Sequence, residues 1–488
     1  MNIQEKHERL FHAAESNVLN SQTKLPIMNK MLTQIDCFSI MGADCLYYYS
    51  GEDVLILKTS VKYLDYEKAA SRPRPAHKRP RKPLLFWRVL IRLLTIVGMA
   101  GTGFTYEMDD RAKKALEQPC LILMNHSCFL DMQIAHRILF PHAFNIITTS
   151  DAFVGLFGLM NWVLRQIGCF PTQKFVTDLR SIQDMQHCFK NLGTSVLMYP
   201  EASYSFDGTA TPLPRKMGVL LKKFDVPVVM IETFGAFSRN PLYNELQVRK
   251  GVKVSAKVRC LYTREEIKAG TVQELSDGLD KAFGFDHFKW QKENGVEISD
   301  SFRADGLSRI LYKCPHCGME GKMEGKGTGL TCHHCGKHYE LTPLGELKAT
   351  EGETAFTHIP DWYNWEREQV KQEILNDTYK LDIDVKIGML VDFQYIYMVG
   401  DGHLTHDRNG FVLTGCDGRL HYTQKPQACY GLYADYYWYE IADTICIGDN
   451  DTLYYCFPQN CGDVVAKTRL AVEEMYKLHK TRKRTLSE

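Results

Sequence analysis

The hydrophobic pattern changes character several times along the chain. From about residue 118 to 260, short apolar runs alternate with segments of helical period: "CLILMN" then "FLDMQIAHRILF", "FNIITT" then "DLRSIQDMQHCFKNLG", followed by "TSVLMYPE" and "PVVMIETFG". Apolar runs bounded by turn residues read as strands buried on both faces, and the periodic segments between them as helices. Strand–helix–strand alternation predicts an α/β domain with a mostly parallel sheet. Functional groups of such sheets gather beyond the strand C-termini. His126 and Glu201 fall at such ends.

The flanking regions read differently. Residues 45–59, "CLYYYSGEDVLILKT", suggest two strands around Ser50-Gly51, within an N-terminal segment, 1–83, whose role is not legible. Its last part, "SRPRPAHKRPRKP" (71–83), carries Arg72, Arg74, Lys78, Arg79, Arg81 and Lys82 among prolines that forbid a helix. It reads either as a solvated linker or as a polybasic segment facing anionic lipid, where each charge adds about 1 kcal/mol.

The next stretch, "LLFWRVLIRLLTIVGMAGTGF" (84–104), approaches the length needed to span a bilayer. Arg88 and Arg92 stand four apart on one helix face, a costly arrangement in hydrocarbon. An interfacial helix is therefore expected, with both arginines at the headgroups and Phe86, Leu90 and Leu93 buried in lipid; a span and a soluble core helix are the alternatives. After residue 355 the chain is aromatic and β-rich, and it closes with an amphipathic segment, "VVAKTRLAVEEMYKL".

Composition narrows the class of partner. In a chain of 488 residues, roughly two to four domains are expected. The net charge of +1 gives no global field for nucleic acid, and none is expected as a partner. The N-terminus is polar and charged and shows no signal peptide, and the scattered cysteines fit a reducing compartment.

One group of cysteines is patterned. Cys314-x-x-Cys317 and Cys332-x-x-Cys335 are separated by fourteen residues, and each pair is followed by glycine. This spacing predicts a zinc ribbon over 310–345, with four thiolates around one structural zinc and no open position for catalysis. The intervening "GMEGKMEGKGTGL" has few lysines and no aromatic, which disfavours a nucleic-acid module. A folding staple or a protein contact is expected instead.

The candidate chemistry centres on "LILMNHSCFLD" (121–131). An imidazole leaving a strand end is suited to general-base work, and a carboxylate on its other ring nitrogen fixes the tautomer and stabilises the imidazolium. His126 in the loop and Asp131 in the first turn of the next helix satisfy that requirement. The spacing alone is weak, since about one such match is expected by chance. A strand-end histidine with a helix-capping aspartate accounts for it equally well. Cys128 raises a Cys–His nucleophile, against which stands the ordinary burial of small cysteines.

Three further stretches change this. "GCFPTQK" (168–174), "YPEASYSFDG" (199–208) and "VPVVMIE" (226–232) follow "NHSCFLD" in order, and together they resemble the glycerolipid acyltransferase family, typified by the 1-acyl-glycerol-3-phosphate acyltransferases. The resemblance covers roughly 85–260. It implies that His126 is the base for an acceptor hydroxyl, with Asp131 orienting it. The hydroxyl then attacks an acyl thioester of acyl-CoA or acyl carrier protein, without a covalent enzyme intermediate and without a catalytic cofactor.

By the same resemblance, Gly168, Phe170 and Lys174 match the block that lines the glycerol phosphate site. Pro200 and Glu201 match the third block, and Lys216 and Gly218 the basic residue and glycine before the fourth. An acyltransferase domain over 84–300, acting at the cytoplasmic face of a membrane as a peripheral or monotopic protein, is implied. A lysophospholipid acceptor would give phosphatidic acid when it is 1-acyl-glycerol 3-phosphate. The family's amphipathic N-terminal helices agree with the interfacial reading of 84–104.

One departure matters. Where the family has Gly-Thr-Arg after the glutamate, this chain has Ala202-Ser203-Tyr204, so an arginine able to grip phosphate in bidentate fashion is missing. Lys174, Arg215 or Lys216 offers a replacement charge. Another lysolipid or polyol acceptor is the alternative, and a non-enzymatic zinc-ribbon adaptor a further one. Residues 355–488 are expected to form an α+β domain that looks like a pleckstrin-homology-type barrel, with strands followed by one helix.

Overall fold

The computed structural model describes residues 60–485, apart from 174–177, 215, 246 and 439–440. The strands expected in 45–59 lie outside the described residues, as do Lys174 and Arg215. The described chain begins with strand β1 (Val61–Tyr63), the proline-rich segment and helix α1 (Leu85–Gly98).

The α/β domain follows. Its strands are β2 (Thr105–Met108), β3 (Leu121–Met124), β4 (Phe144–Thr149), β5 (Cys169–Thr172), β6 (Ser195–Met198), β7 (Val228–Phe234) and β8 (Ser255–Tyr262). Its main helices are α2 (Asp131–Leu139), α3 (Leu159–Gln166), α4 (Leu179–His187), α5 (Met217–Phe224), α6 (Val272–Ala282) and α7 (His287–Glu293). The sheet order is β2-β8-β7-β3-β6-β4-β5. Strands β3 to β7 pair in parallel, and only the β7–β8 contact is antiparallel.

The apolar run of β3 is explained by burial on both faces. Leu121 and Leu123 join a core with Met185 of α4, Leu221 of α5 and Leu279 of α6. Ile122 and Met124 point the other way, to Ile91 of α1, Ile134 of α2 and Leu164 of α3. The loop after β3 is thus held between two helical layers.

Helix α1 corrects two expectations. It stops at Gly98, before Gly101 and Gly103 adopt φ of 76° and 57°, a region open to glycine at little cost. Its 14 residues rise about 21 Å, short of the about 30 Å of hydrocarbon. Among the described residues no helix is long and apolar enough to cross a membrane. The arginines also face inward rather than outward. Arg88 donates to the Pro141 carbonyl beyond α2, and Arg92 lies beside Arg137, its pKa lowered by burial and by that like charge. Leu85, Phe86, Val89, Leu93, Ile96 and Val97 remain exposed, and Leu90 is half-buried.

A second, smaller sheet follows, formed by β9 (Met323–Lys326), β10 (Gly329–Cys332), β11 (His338–Leu341) and β12 (Leu347–Ala349), in the order β12-β11-β10-β9. It packs on helix α8 (Ile359–Leu375): Trp362 is fully buried, its ring 5.1 Å from Tyr339, and its indole N–H donates to the Lys313 carbonyl at 3.0 Å.

The last domain has strands β13 (Leu381–Leu390), β14 (Ile396–Asp407), β15 (Gly410–Gly415), β16 (Leu420–Gln424), β17 (Tyr433–Trp438), β18 (Ala442–Gly448) and β19 (Leu453–Pro458), closed by helix α9 (Val465–Thr485). The strands are antiparallel, in the order β16-β15-β14-β13-β19-β18-β17. Strand β1 joins this sheet in parallel with β14, so part of the N-terminal segment belongs to the C-terminal domain.

The C-terminal domain packs directly on the α/β domain. The Tyr433 hydroxyl donates to the Asp151 carboxylate, and the Tyr436 ring lies 4.6 Å from that of Phe206.

Candidate active site

Strand β3 ends at Met124, and the next six residues form a loop tied down by side chains. Asn125 Oδ1 accepts the Thr233 N–H at 2.8 Å, and its amide donates to Ser127 Oγ at 2.9 Å. Ser127 Oγ also meets Thr233 Oγ1 at 3.1 Å and His287 Nε2 at 3.3 Å. The loop is thereby fastened to β7 and α7. Burial pushes the His287 pKa down to about 4, so its ring is neutral in this network at ordinary pH.

Asp131 is the first residue of α2 and is 1% exposed. Its Oδ2 accepts from the Ser127 N–H at 2.7 Å and the Cys128 N–H at 3.2 Å, and pairs with His126 Nδ1 at 2.9 Å. Burial pushes this carboxyl up, and the two backbone donors oppose that. With Nδ1 committed to Asp131, the imidazole presents Nε2 as its proton acceptor.

Glu201 holds the same loop from the other side. It is fully buried; Oε1 accepts the His126 backbone N–H at 3.0 Å, and Oε2 accepts the Thr211 N–H at 2.9 Å. Burial raises its pKa to about 8, against the backbone donors and the charge of Arg469. The His126 carbonyl accepts the Ser205 N–H at 3.0 Å. Two tyrosines of the same stretch lie on the imidazole: the Tyr199 ring centroid is 4.2 Å away and that of Tyr204 3.8 Å.

The structure brings together His126, Asp131 and Glu201, with buried Pro200 beside them. The other matched residues that are described have surroundings of their own. Gly168 lies at the opposite, N-terminal end of β5, where an added Cβ would come within 3.0 Å of the Phe144 carbonyl and 3.2 Å of Pro83. Phe170 is buried in the core shared with α4 and α5. Lys216 is exposed at the start of α5, and Gly218 packs so tightly on α6 that a Cβ would meet the Val272 carbonyl at 2.2 Å. For Gly168, Phe170 and Gly218 the fold supplies packing reasons. Cys128 is buried in the apolar core beneath the loop.

Sequence reading missed Asn125, Tyr199, Thr211, Thr233, His287 and Arg469. Asn125, Tyr199 and Thr233 adjoin recognised motif residues and were open to inspection. The others reach the site only through the fold: Arg469 meets the Tyr204 carbonyl across 265 positions of chain.

A second cluster lies in the small sheet domain. The Sγ atoms of Cys314, Cys317, Cys332 and Cys335 all fall within 4.8 Å of one another, with Cys314–Cys335 at 3.8 Å and Cys317–Cys332 at 3.7 Å. The edge of a tetrahedron with metal–sulfur bonds of about 2.3 Å is about 3.8 Å. The donor set therefore fits a metal ion, held by four thiolates with no open coordination position.

With this geometry in view, the comparisons are specific. The Acyltransferase family model matches residues 104–231, which contain β2 to β6, the His126 loop and Glu201. The chain is 27% identical over 132 residues to the chloroplastic 1-acyl-sn-glycerol-3-phosphate acyltransferase BAT2 of Brassica napus, a match covering 26% of this chain and 37% of that protein. The crystal structure of the 1-acyl-sn-glycerophosphate acyltransferase PlsC from Thermotoga maritima aligns loosely, with a TM-score of 0.32 and 16% identity, over 53% of this chain and 94% of that one. Over residues 104–231 the chain is similar to the Acyltransferase family, and it spans little more than a third of the length of the curated relative it matches.

Proposed function

We propose that the protein transfers an acyl group from acyl-CoA or acyl carrier protein to the free hydroxyl of a lysophospholipid, with 1-acyl-glycerol 3-phosphate, giving phosphatidic acid, as first candidate. The observation that carries this is the His126–Asp131 pair at 2.9 Å, at a strand C-terminus of an acyltransferase-family domain. His126 Nε2 takes the hydroxyl proton as the oxygen attacks the thioester carbonyl. The tetrahedral intermediate collapses with loss of thiolate, which takes the proton back from the imidazolium. Asp131 holds the ring and stabilises its charged form. Glu201 fixes the loop through the His126 N–H and acts as a positioning residue.

A second reading keeps the reaction and changes the acceptor to another lysolipid or a polyol. Tyr204 at the family's arginine position favours it, because a phenol cannot form the bidentate contact of guanidinium with phosphate.

Membrane-surface action, peripheral or monotopic, is supported by the exposed apolar side of α1. Trp162, 51% exposed, extends that side through its contact with Trp87. The polybasic segment precedes it. A structural zinc in the four-cysteine cluster is supported by the sulfur spacing. The strand order and closing helix of the C-terminal domain support the pleckstrin-homology-type reading.

The test offers purified protein in detergent labelled acyl-CoA or acyl carrier protein with a panel of lysolipids, with His126→Ala as control. Turnover that survives this substitution would sink the mechanism. Turnover confined to acceptors without phosphate would select the second reading. No turnover with any donor leaves an adaptor built on the ribbon and C-terminal domain.

A further inference from the structure

The imidazole of His126 lies against two aromatic rings. Tyr199 stacks on it at 4.2 Å with 23° between planes, and Tyr204 approaches at 3.8 Å with 33°. Both phenols are buried enough that their pKa values rise well above the usual, so both stay neutral with their π faces intact. A cation within about 6 Å of an aromatic centroid is attracted by the ring quadrupole. A neutral imidazole gains much less from that field than an imidazolium.

Tyr204 is itself held from behind. The Arg469 guanidinium lies 3.5 Å from the Tyr204 carbonyl and 4.0 Å from the Phe206 centroid, and Phe129 packs 5.1 Å from the Tyr204 ring. The C-terminal domain thus backs the stretch that brings the ring onto His126.

We propose that Tyr199 and Tyr204 are positioning residues that form an aromatic cradle for His126 and stabilise its imidazolium as it takes the acceptor's proton. At Tyr204 the chain has an aromatic face where its relatives' motif has a cation, and the two have opposite effects on a neighbouring imidazolium. The inference rests on the acyltransfer reading for its consequence in catalysis, but the ring geometry stands without it.

The groups facing His126 are Asp131 from α2, Cys128 in the loop, and Glu201, Tyr199 and Tyr204 from the stretch after β6. Arg469 from α9 and Asp435 from β17 lie behind Tyr204. All but Tyr204 are constant across its variants.

The test follows the His126 titration in full-length protein by NMR with ring-labelled histidine, assigned by the spectrum of His126→Gln, together with the pH profile of kcat/KM. Tyr204→Phe keeps the face and should keep the titration. Tyr204→Leu should lower it by about one pH unit, moving the acid limb of kcat/KM to lower pH, and Tyr204→Arg should lower it further. Tyr204→Met fills similar volume without a ring and serves if the leucine variant does not fold. Equal titration in wild type, Phe, and Leu or Met variants overturns the proposal. If wild type turns over no acceptor, the acyltransfer reading fails, while the NMR titration still decides whether the rings stabilise the imidazolium.

Discussion

The Arg469 guanidinium rests 4.0 Å from the ring centroid of Phe206, so the final helix touches the stretch that carries Tyr204. Arg469 is 4% exposed, pairs with Glu473 at 3.3 Å, and Glu473 also meets Arg367 of α8 at 2.5 Å. A domain outside the family match therefore packs against the stretch after β6 that carries Tyr204 and Phe206.

Removing that contact should be felt in catalysis. Arg469→Ala is expected to cost about 1–3 kcal/mol of local stability and to lower kcat about tenfold or more, with Arg469→Lys partly restoring it. Steady-state kinetics at matched thermal stability check this. Unchanged kcat in both variants would detach the C-terminal domain from the reaction.

Glu201→Gln tests the second support of the loop. Both carboxyl oxygens accept backbone N–H groups, and an amide offers only one acceptor atom. One donor, from His126 or Thr211, is left unpaired, at about 2 kcal/mol, or about a thirtyfold loss of kcat/KM if the error passes to His126. An unimpaired variant would remove Glu201 from the positioning role.

Buried neutral histidines should make stability depend on pH. Burial lowers the His136 pKa to about 3 from an ordinary value near 6.5. The unfolded chain binds this proton first, so the stabilising share of neutral His136 is complete above about pH 6.5 and is lost as pH falls toward 3. At pH 5 the loss is about 2 kcal/mol. His136→Leu should therefore gain on wild type between pH 7.5 and pH 5, read as the difference in thermal midpoints. A difference that does not move with pH would contradict the neutral, buried ring.

Metal analysis of folded protein should find about one zinc per chain, and chelation should lower the thermal midpoint. Lys313, next to Cys314, forms ion pairs with Glu320 at 3.2 Å and Glu373 at 3.6 Å, and Lys467 of α9 closes the group at 2.7 Å from Glu320. Loosening the cluster should therefore weaken α8 and α9 as well. A stable, metal-free protein with these helices intact would defeat the structural-zinc reading.

The exposed side of α1 invites a charge. Leu93→Glu should weaken binding to anionic vesicles by roughly tenfold or more, since burying a leucine is worth about 1.5–3 kcal/mol. Flotation measures it, and equal recovery of variant and wild type would exclude this face as the contact.

How much was legible follows from the range of each interaction. The alternating strands and helices of the α/β domain were readable because a strand buried on both faces must be apolar throughout, as β3 is. The His126–Asp131 pair spans five positions across one strand-to-helix turn, and the four cysteines carry a metal-site spacing, so local sequence was enough. Gly168 and Gly218 were read from motif positions, but their surroundings, Pro83 and the Val272 carbonyl, come from distant chain. Helix α1 was overextended because apolar composition continues past Gly98, while the backbone turns there at glycines with positive φ.

What the sequence marked out by itself, then, are the candidates for the chemistry: an imidazole and a carboxylate that the structure pairs at 2.9 Å, and four thiols that it clusters. Tertiary structure decided the setting. It turned Arg88 inward, gave Glu201 the task of holding a backbone N–H, laid two tyrosines on His126 and brought Arg469 against Phe206. The reason is physical: motifs record bonds between near neighbours and the residue types a reaction needs. Ring contacts and buried ion pairs depend on how distant elements pack, which no local pattern encodes.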